Sequence, residues 1–481
     1  MQTNRDIVAG RVENILVDPT CRLDVTYWKN FAVDFNKKSR FRIKTLVSVG
    51  QLRNDTLAQH ISRDVYYPFK ITYSGHVILK ESVRIHAIRE TRFKLAKAGD
   101  IVFSRINCCR GAIGIVEESQ TDCICTGETH VFTVTDSQVD NRYLHTILRH
   151  PYYQDLMLAK STGASLERRR FHETELLSFE VPIPPYDKQL ELIRIIRALD
   201  ESIRESSESV ERLRIERNRL LLTELGIDLV YSRSGEESYA LSPSKVTKDN
   251  AYRLDFEHNK PSFRMIKKLQ EGKYRLVKIG SDGPEDKILK ADIKSGSTPK
   301  GGIYPTTGIP FLQAGNIMEN GIDLTHLEYV TPEFHEGLKR SQLTGNEVLV
   351  AIAGTIGRTG VNDKLDEGNI NQAIALLRLN SRMLPLFLSA VLNSDAGRIQ
   401  FAKLRHDFGT PNINTTELAN IKVPLPPPEV QESIVSKILD FEKRISGEKK
   451  KREESQKQRS EAITEFLLGE KEYEDILERT K

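Results

Sequence analysis

Cysteine is scarce: the 481-residue chain holds five. An odd count at so low a frequency excludes a disulfide scaffold and fits a reducing compartment. Long apolar runs are missing as well. None reaches the ~18 residues that a membrane span requires, and the opening segment lacks the apolar core of a secretory leader. The sequence therefore predicts a cytoplasmic protein with no membrane partner. An excess of charge of one sign is also lacking, since 71 Lys+Arg oppose 67 Asp+Glu for a net charge of +4. That balance neither demands nor excludes nucleic acid, so the placement of the charges must decide.

Catalytic signatures are absent too. There is no G-x-x-x-x-G-K-[ST] loop for nucleotide hydrolysis. No Gly-rich turn between strand and helix is followed by the acid that would complete a dinucleotide or adenosyl-methionine cradle. No His/Asp/Ser constellation stands out. Pro184-Pro185-Tyr186 follows Ile183 rather than a side chain able to hold a target amine, and reads as a rigid entry into a helix. Cys108, Cys109, Cys123 and Cys125 lack a zinc-knuckle spacing and read as small buried thiols. Glu285-Asp286-Lys287 has no acidic partner at a matching position and reads as a turn. No catalytic residue and no metal site is expected.

What the chain does have is an internal repeat. Val181-Pro182-Ile183-Pro184-Pro185 with Gln189 returns as Val423-Pro424-Leu425-Pro426-Pro427 with Gln431, and Thr174-Glu175-Leu176 returns as Thr416-Glu417-Leu418. Further upstream, Gly111-Ala112-Ile113-Gly114 echoes Gly354-Thr355-Ile356-Gly357, and Arg22-Leu23-Asp24 echoes Arg253-Leu254-Asp255. The stretches between these matches look unrelated. One scaffold thus carries two different contents.

Each half ends in a helix of coiled-coil period. Leu192, Ile196, Leu199 and Ile203 open a seam that continues through Ser206, Val210, Leu213, Arg217 and Leu220. Ile434, Ile438, Phe441 and Ile445 open the other, which turns polar through 449–459 and resumes at Ala462, Phe466 and Leu467. Steps of alternating three and four mark a narrow seam rather than a broad amphipathic face. Two such helices at equivalent repeat positions most simply pair with each other, antiparallel. The expected segments are an N-terminal arm at 1–20, α+β modules at 21–186 and 251–428, long helices at 187–225 and 429–468, a polar linker at 226–250 and a charged tail at 469–481. Within the modules, strands are expected at 100–104 and 347–351, and helices at 142–159 and 384–392.

Basic and amide side chains gather on loops. Arg105 and Arg110 end a basic stretch; Arg168, Arg169 and Arg170 follow a Ser/Thr/Gly turn. In the second half, Thr298 and Lys300 lie on a Gly-Ser-Thr-Pro-Lys-Gly-Gly loop whose composition predicts mobility. Arg358 follows a Gly-containing turn, and His406 and Asn412 flank Gly409-Thr410-Pro411. Such groups suit phosphate oxygens and base edges, because bidentate Arg–guanine and Asn–adenine pairs carry sequence information.

In this order, and occurring twice, these elements resemble the specificity subunit of type I restriction–modification systems. The similarity runs through the strand at Gly99–Arg105 (345–351 in the second half), the Gly-[Ala/Thr]-Ile-Gly turn, the Gly-[Ala/Thr] loop at Gly163 and Gly409, the V-P-[IL]-P-P-x-x-x-Q segment and the helix after it. The resemblance implies two tandem target-recognition domains of α+β class, separated by two long helices paired as an antiparallel coiled coil, in a pseudo-two-fold internal repeat. It further implies a non-catalytic reader of double-stranded DNA with a bipartite, asymmetric target. The helices would set the spacing and dock two methyltransferase subunits, with restriction/translocase subunits joining that core. No cofactor would bind this chain; adenosyl-methionine, ATP and Mg²⁺ would sit on the partners. A DNA-free coiled-coil scaffold and a cryptic nuclease or methyltransferase are the alternatives.

Overall fold

The computed structural model describes residues 39, 41–53, 55–56, 63–84, 93–162, 170–228, 266, 268–302, 304–404 and 412–468. The N-terminal arm, nearly all of the linker, the charged tail and the Arg22 and Arg253 echoes lie outside them. The chain folds into two compact units, Met1–Ser207 with Lys450–Lys481 and Glu208–Lys449. This division differs from the sequence boundaries, because each long helix is shared between both units.

In unit 1, a four-stranded sheet runs in the order Gly50–Leu52, Thr129–Val134, Ile101–Ser104, Ile113–Ile115, with neighbours antiparallel. An outer sheet sets Val65–Ile71 parallel to Cys123–Cys125, whose other neighbour is the antiparallel Lys94–Ala96. Val77–Leu79 folds back on Val65–Ile71 as a hairpin. Arg42–Thr45 pairs with Glu180–Ile183, the strand that delivers the chain into the first long helix. The core fills between the inner sheet, two short helices and that long helix, around Phe103, Phe132, Tyr143, Tyr153 and Leu192. Cys108, Cys123 and Cys125 are buried, as expected of small core thiols, whereas Cys109 is half-buried; burial raises the thiol pKa of Cys123 to about 11 and of Cys125 to about 12.

Unit 2 repeats these pairings. Its inner sheet runs Lys294–Ser295, Ile374–Leu377, Val348–Ala351, Thr359–Val361. In the outer sheet Ile309–Leu312 is parallel to Gly368–Ile370, whose antiparallel neighbour is Gln342–Leu343. Leu276–Lys278 pairs with Lys422–Pro424.

The registers correct two alignments made on sequence. Ser104 N donates to Ala112 O at 3.0 Å, and Ala351 N donates to Arg358 O at 2.9 Å. Gly111 and Gly114 therefore match Gly357 and Gly360, three residues beyond the Gly-Thr-Ile-Gly motif. Gly114 and Gly360 are small because a hairpin crosses them: an added Cβ would lie 2.7 Å from Val77 Cγ2 in one and 2.0 Å from Gly321 O in the other. Gly99 likewise matches Asn346, not Gly345. Both are left-handed (φ 86° and 63°), a conformation that Asn tolerates better than most side chains. The acid after each is buried and caps its own turn. Asp100 accepts from Lys97 N at 2.8 Å and Glu347 from Thr344 N at 2.6 Å.

The expected helix at 142–159 is two helices, Asn141–Leu148 and Pro151–Lys160. Pro151 has no N–H to continue the first helix and instead starts the second, with His150 as its cap. Pro385–Asn393 and Asp395–Leu404 repeat the arrangement.

The Pro-rich motif acquires a physical reason. The Gln189 carboxamide is buried, accepts from Asp140 N at 2.9 Å, and donates to Gln138 O and Pro184 O at 2.8 Å each. Gln431 does the same with Leu384 N, Arg382 O and Pro426 O at 2.9, 2.7 and 2.9 Å. One glutamine thus ties helix entry to the loop before the short helices.

The long helices span Tyr186–Glu224 and Pro428–Leu468. They pair antiparallel in each unit. In unit 1, Leu192, Ile196 and Leu199 pack with Ala462, Ile463 and Phe466; Ser202 Oγ lies 3.1 Å from Ser455 Oγ, and Arg459 Nε bonds Asp200 Oδ1 at 2.7 Å. In unit 2, Leu221, Leu222 and Leu225 share a core with Ile434 and Ile438, while Val210 and Leu213 meet Phe441 and Ile445. Ile203, Leu220 and Phe441 are half-buried; the other thirteen seam residues named from sequence are buried.

Candidate nucleic-acid interface

In each unit a described candidate side chain, Arg170 or Asn412, lies where the inner sheet's third strand ends. Ile101–Ser104 stops at Arg105, whose carbonyl accepts from Phe171 N at 2.8 Å. Val348–Ala351 stops at Ile352, whose carbonyl accepts from Ile413 N at 2.9 Å. Arg170 and Asn412, each preceding that donor, thus occupy equivalent backbone stations. The strand geometry explains the placement: the returning segment must pair with the strand end, so the residue before the donor is left at the rim.

Around the first station, Arg170 Nε bonds Glu128 Oε2 at 3.1 Å, and among the described residues its Nη groups have no hydrogen-bond partner. Arg105 is half-buried, and its Nε is shut from solvent without a hydrogen-bond partner among the described residues. Behind them, His130 is buried with Nε2 3.1 Å from Phe171 O and Nδ1 3.2 Å from Glu173 Oε1. Burial lowers its pKa, against the pull of the Phe171 carbonyl and Glu173. Arg110 stands in the turn Cys108–Arg110, at the same sheet end. Arg168 and Arg169 lie outside the described residues.

Around the second station, Asn412 is exposed and its backbone bridges to Ala353. Thr298 is exposed, with its hydroxyl bonded to Gln372 Oε1. The loop that holds Thr298 and Lys300 reads as mobile in sequence; its start is instead packed, since a Cβ on Gly296 would lie 1.7 Å from Ile370 O. Lys300 lies in the one-turn helix Lys300–Gly302. Arg358 turns inward toward the outer hairpin, with Nη1 3.5 Å from Ile317 O. His406 lies outside the described residues.

Sequence reasoning missed Glu128 and Gln372, which hold Arg170 and Thr298. Each directly precedes or closely approaches the second strand of its inner sheet, the one signal that the sequence offered. Among the described residues no group of three or more His, Cys, Asp or Glu is arranged to hold a metal ion, and no helix is long and apolar enough to cross a membrane.

Both units thus carry an α+β lobe on paired helices, with different side chains at equivalent backbone stations. Residues 289–456 match the family model of the Type I restriction modification DNA specificity domain. The chain is 31% identical over 134 residues to the Type I restriction enzyme EcoBI specificity subunit of Escherichia coli, a match spanning 27% of this chain and 28% of that relative's length. It is 21% identical over 408 residues, 83% of each chain, to the putative type I restriction enzyme MjaX specificity subunit of Methanocaldococcus jannaschii. Among solved structures, the S subunit of a type I system from M. genitalium matches with TM-score 0.42 and 14% identity over 90% of this chain and 98% of that one. The HsdS subunit of Thermoanaerobacter tengcongensis matches with TM-score 0.34 and 16% identity over 89% and 97%. The chain is thus similar to specificity subunits of type I restriction–modification systems.

Proposed function

We propose that this chain is the DNA-reading subunit of a type I restriction–modification complex, each unit reading one part of a bipartite, asymmetric target. The observation that carries this reading is the pair of equivalent stations, Arg170 in one unit and Asn412 in the other. Arginine suits guanine O6/N7 and asparagine suits adenine N6/N7, so unlike stations imply unlike half-sites. Arg105, Arg110, Arg168, Arg169 and Arg170, with Thr298, Lys300, His406 and Asn412, divide between phosphate and base contacts, whereas Arg358 is taken up by the hairpin.

The chain itself is non-catalytic and cytoplasmic. Its paired helices set the spacing and dock two methyltransferase subunits, and restriction/translocase subunits join that core. Adenosyl-methionine, ATP and Mg²⁺ bind those partners. The buried carboxylates of Asp100 and Glu347 support this division, because both are consumed in capping turns.

The test is DNA binding by the reconstituted complex carrying Arg168→Ala, Arg169→Ala and Arg170→Ala together, across a salt series. If these arginines neutralise phosphates, binding weakens for every sequence, and the salt slope becomes shallower by ~0.9 for each phosphate left unneutralised. If one of them reads a base, discrimination at a single position falls by about 1–3 kcal/mol. Unchanged affinity and slope would remove these arginines from the interface.

A further inference from the structure

The outer hairpin of unit 2, Ile317–Met318 with Gly321–Ile322, turns through Glu319 and Asn320. This turn is held from several elements at once. Glu319 Oε1 accepts from Arg398 Nη2 at 2.8 Å, and Oε2 accepts from Arg217 Nη2 at 3.1 Å with Arg214 Nε at 3.5 Å. Arg217 is buried on the first long helix and donates through Nη1 to Glu442 on the second, at 2.5 Å. Asn320 Nδ2 reaches the same Glu442 oxygen at 2.8 Å. Its Oδ1 accepts from Ser389 Oγ at 3.1 Å and Asn393 Nδ2 at 3.0 Å, and its backbone N–H donates to Thr359 O at 2.9 Å. Burial pushes the Glu319 pKa upward, but Arg217, Arg214 and Arg398 outweigh it and hold the carboxyl below its ordinary value. The group is a charged latch between this hairpin and both long helices.

Unit 1 has the helix part of this arrangement without the latch. Asp200 and Arg459 stand at the positions of Glu442 and Arg217, and they pair at 2.7 Å. The hairpin turn there is Tyr73-Ser74-Gly75, with no acid. Arg149 fills the space, touching Tyr73 O only at 3.5 Å.

We propose that Glu319 is a positioning residue for target reading: by latching the hairpin Ile317–Ile322 to Arg217, it fixes the angle at which the unit 2 lobe meets DNA relative to the helix pair. This rests on the DNA-reading function proposed above and adds a division of labour. The rim stations choose bases, and the latch decides how strictly the gap between the half-sites is enforced. The charge on the acid matters because three guanidinium groups converge on it, and charge-assisted, two-oxygen bonds fix geometry more tightly than neutral ones.

The experiment compares the wild-type complex with Glu319→Ala and Glu319→Gln on the methylated target and on duplexes whose gap is one base pair longer or shorter. The ratio of affinities for correct and altered gaps is expected to fall about tenfold for Glu319→Ala and about threefold for Glu319→Gln, as the ionic bonds are lost or made neutral. Preference for the half-site bases, at the correct gap, is expected to stay within about twofold. A merely structural acid would lower the melting temperature and leave the gap ratio unchanged. That result in either folded variant overturns the latch. Wild-type protein with no gap preference overturns the proposed function itself, and this inference with it.

Discussion

Where the short helices meet the long ones, the two units fill equivalent positions with different chemistry. Unit 1 places His145 and His150 there, the first half-buried and the second buried. His145 Nε2 lies 3.0 Å from Ile113 O, and His150 Nε2 lies 3.1 Å from Thr464 Oγ1. Burial lowers both ring pKa values to about 3, helped by the charge of Arg149 on His145 and of Arg459 on His150. Unit 2 places Ser389 and Ser394 at those positions, bonded to Thr359 O at 3.0 Å and Val391 O at 2.7 Å. The difference teaches that the backbone plan is set by a few shared devices, namely the seam, the glutamine tie and the buried turn acids. Behind those devices the filling is free to diverge, including at the rim stations.

The seam is the strongest test of that equivalence. Ile196 and Ile438 occupy the same repeat position and are both buried. An aspartate at either place would bury an unpaired charge at a cost of several kcal/mol. Ile196→Asp is expected to unfold unit 1 or block assembly, and Ile438→Asp to do the same for unit 2, by circular dichroism and co-purification with the methyltransferase. Normal folding of one variant and not the other would break the equivalence of the two helix pairs.

The glutamine tie predicts a smaller, matched effect. Gln189→Leu or Gln431→Leu strands one buried N–H and two carbonyls, and each is expected to cost about 1–3 kcal/mol in chemical denaturation. Equal losses in both units sharpen the comparison. A loss in one alone would show that the motif is shared in sequence but not in energetics.

The smallest effect is one of acidity. The unfolded state protonates each histidine near its ordinary pKa, whereas the folded state resists until about pH 3. Stability from the neutral rings is therefore present above pH 6.5 and is lost as the pH falls toward 3. Asp155, raised to about pH 7 by burial, acts in the opposite sense between about pH 7 and 4, but one aspartate opposes two histidines. Unit 2 has Ile399 in its place. On acidification, calorimetry is expected to show the melting of unit 1 moving down ahead of unit 2, with His150→Ser narrowing the gap. Parallel shifts of both transitions would contradict the neutral-histidine assignment.

Much of this plan is legible in the sequence, because it is written in periods and repeats. The 3–4 spacing of Leu192, Ile196 and Leu199 and of Ile434 and Ile438 needs only the helix geometry to be read as a seam. The Val-Pro-x-Pro-Pro motif marks helix entry, though the role of Gln189 and Gln431 emerges only when the distant loops at 138–140 and 382–384 are brought near. The glycine echo misaligns by three residues because two Gly-x-x-Gly pairs overlap in the second half, and strand register alone separates them. At the rim, residue type points to Arg170 and Asn412. Their equivalence depends on which strand end each returning segment pairs with, a long-range hydrogen bond that no local pattern encodes. Arg358 shows the converse: a basic residue beside a glycine turn that faces a hairpin carbonyl instead of the rim.

Sequencing of methylated adenines in genomic DNA from cells carrying this chain and the proposed methyltransferase partner tests the central claim most directly. Two equivalent lobes with unlike stations predict one asymmetric motif, two different half-sites separated by a gap of fixed length and free sequence. A palindromic or continuous motif, or methylation that persists unchanged when this chain is deleted, would contradict it.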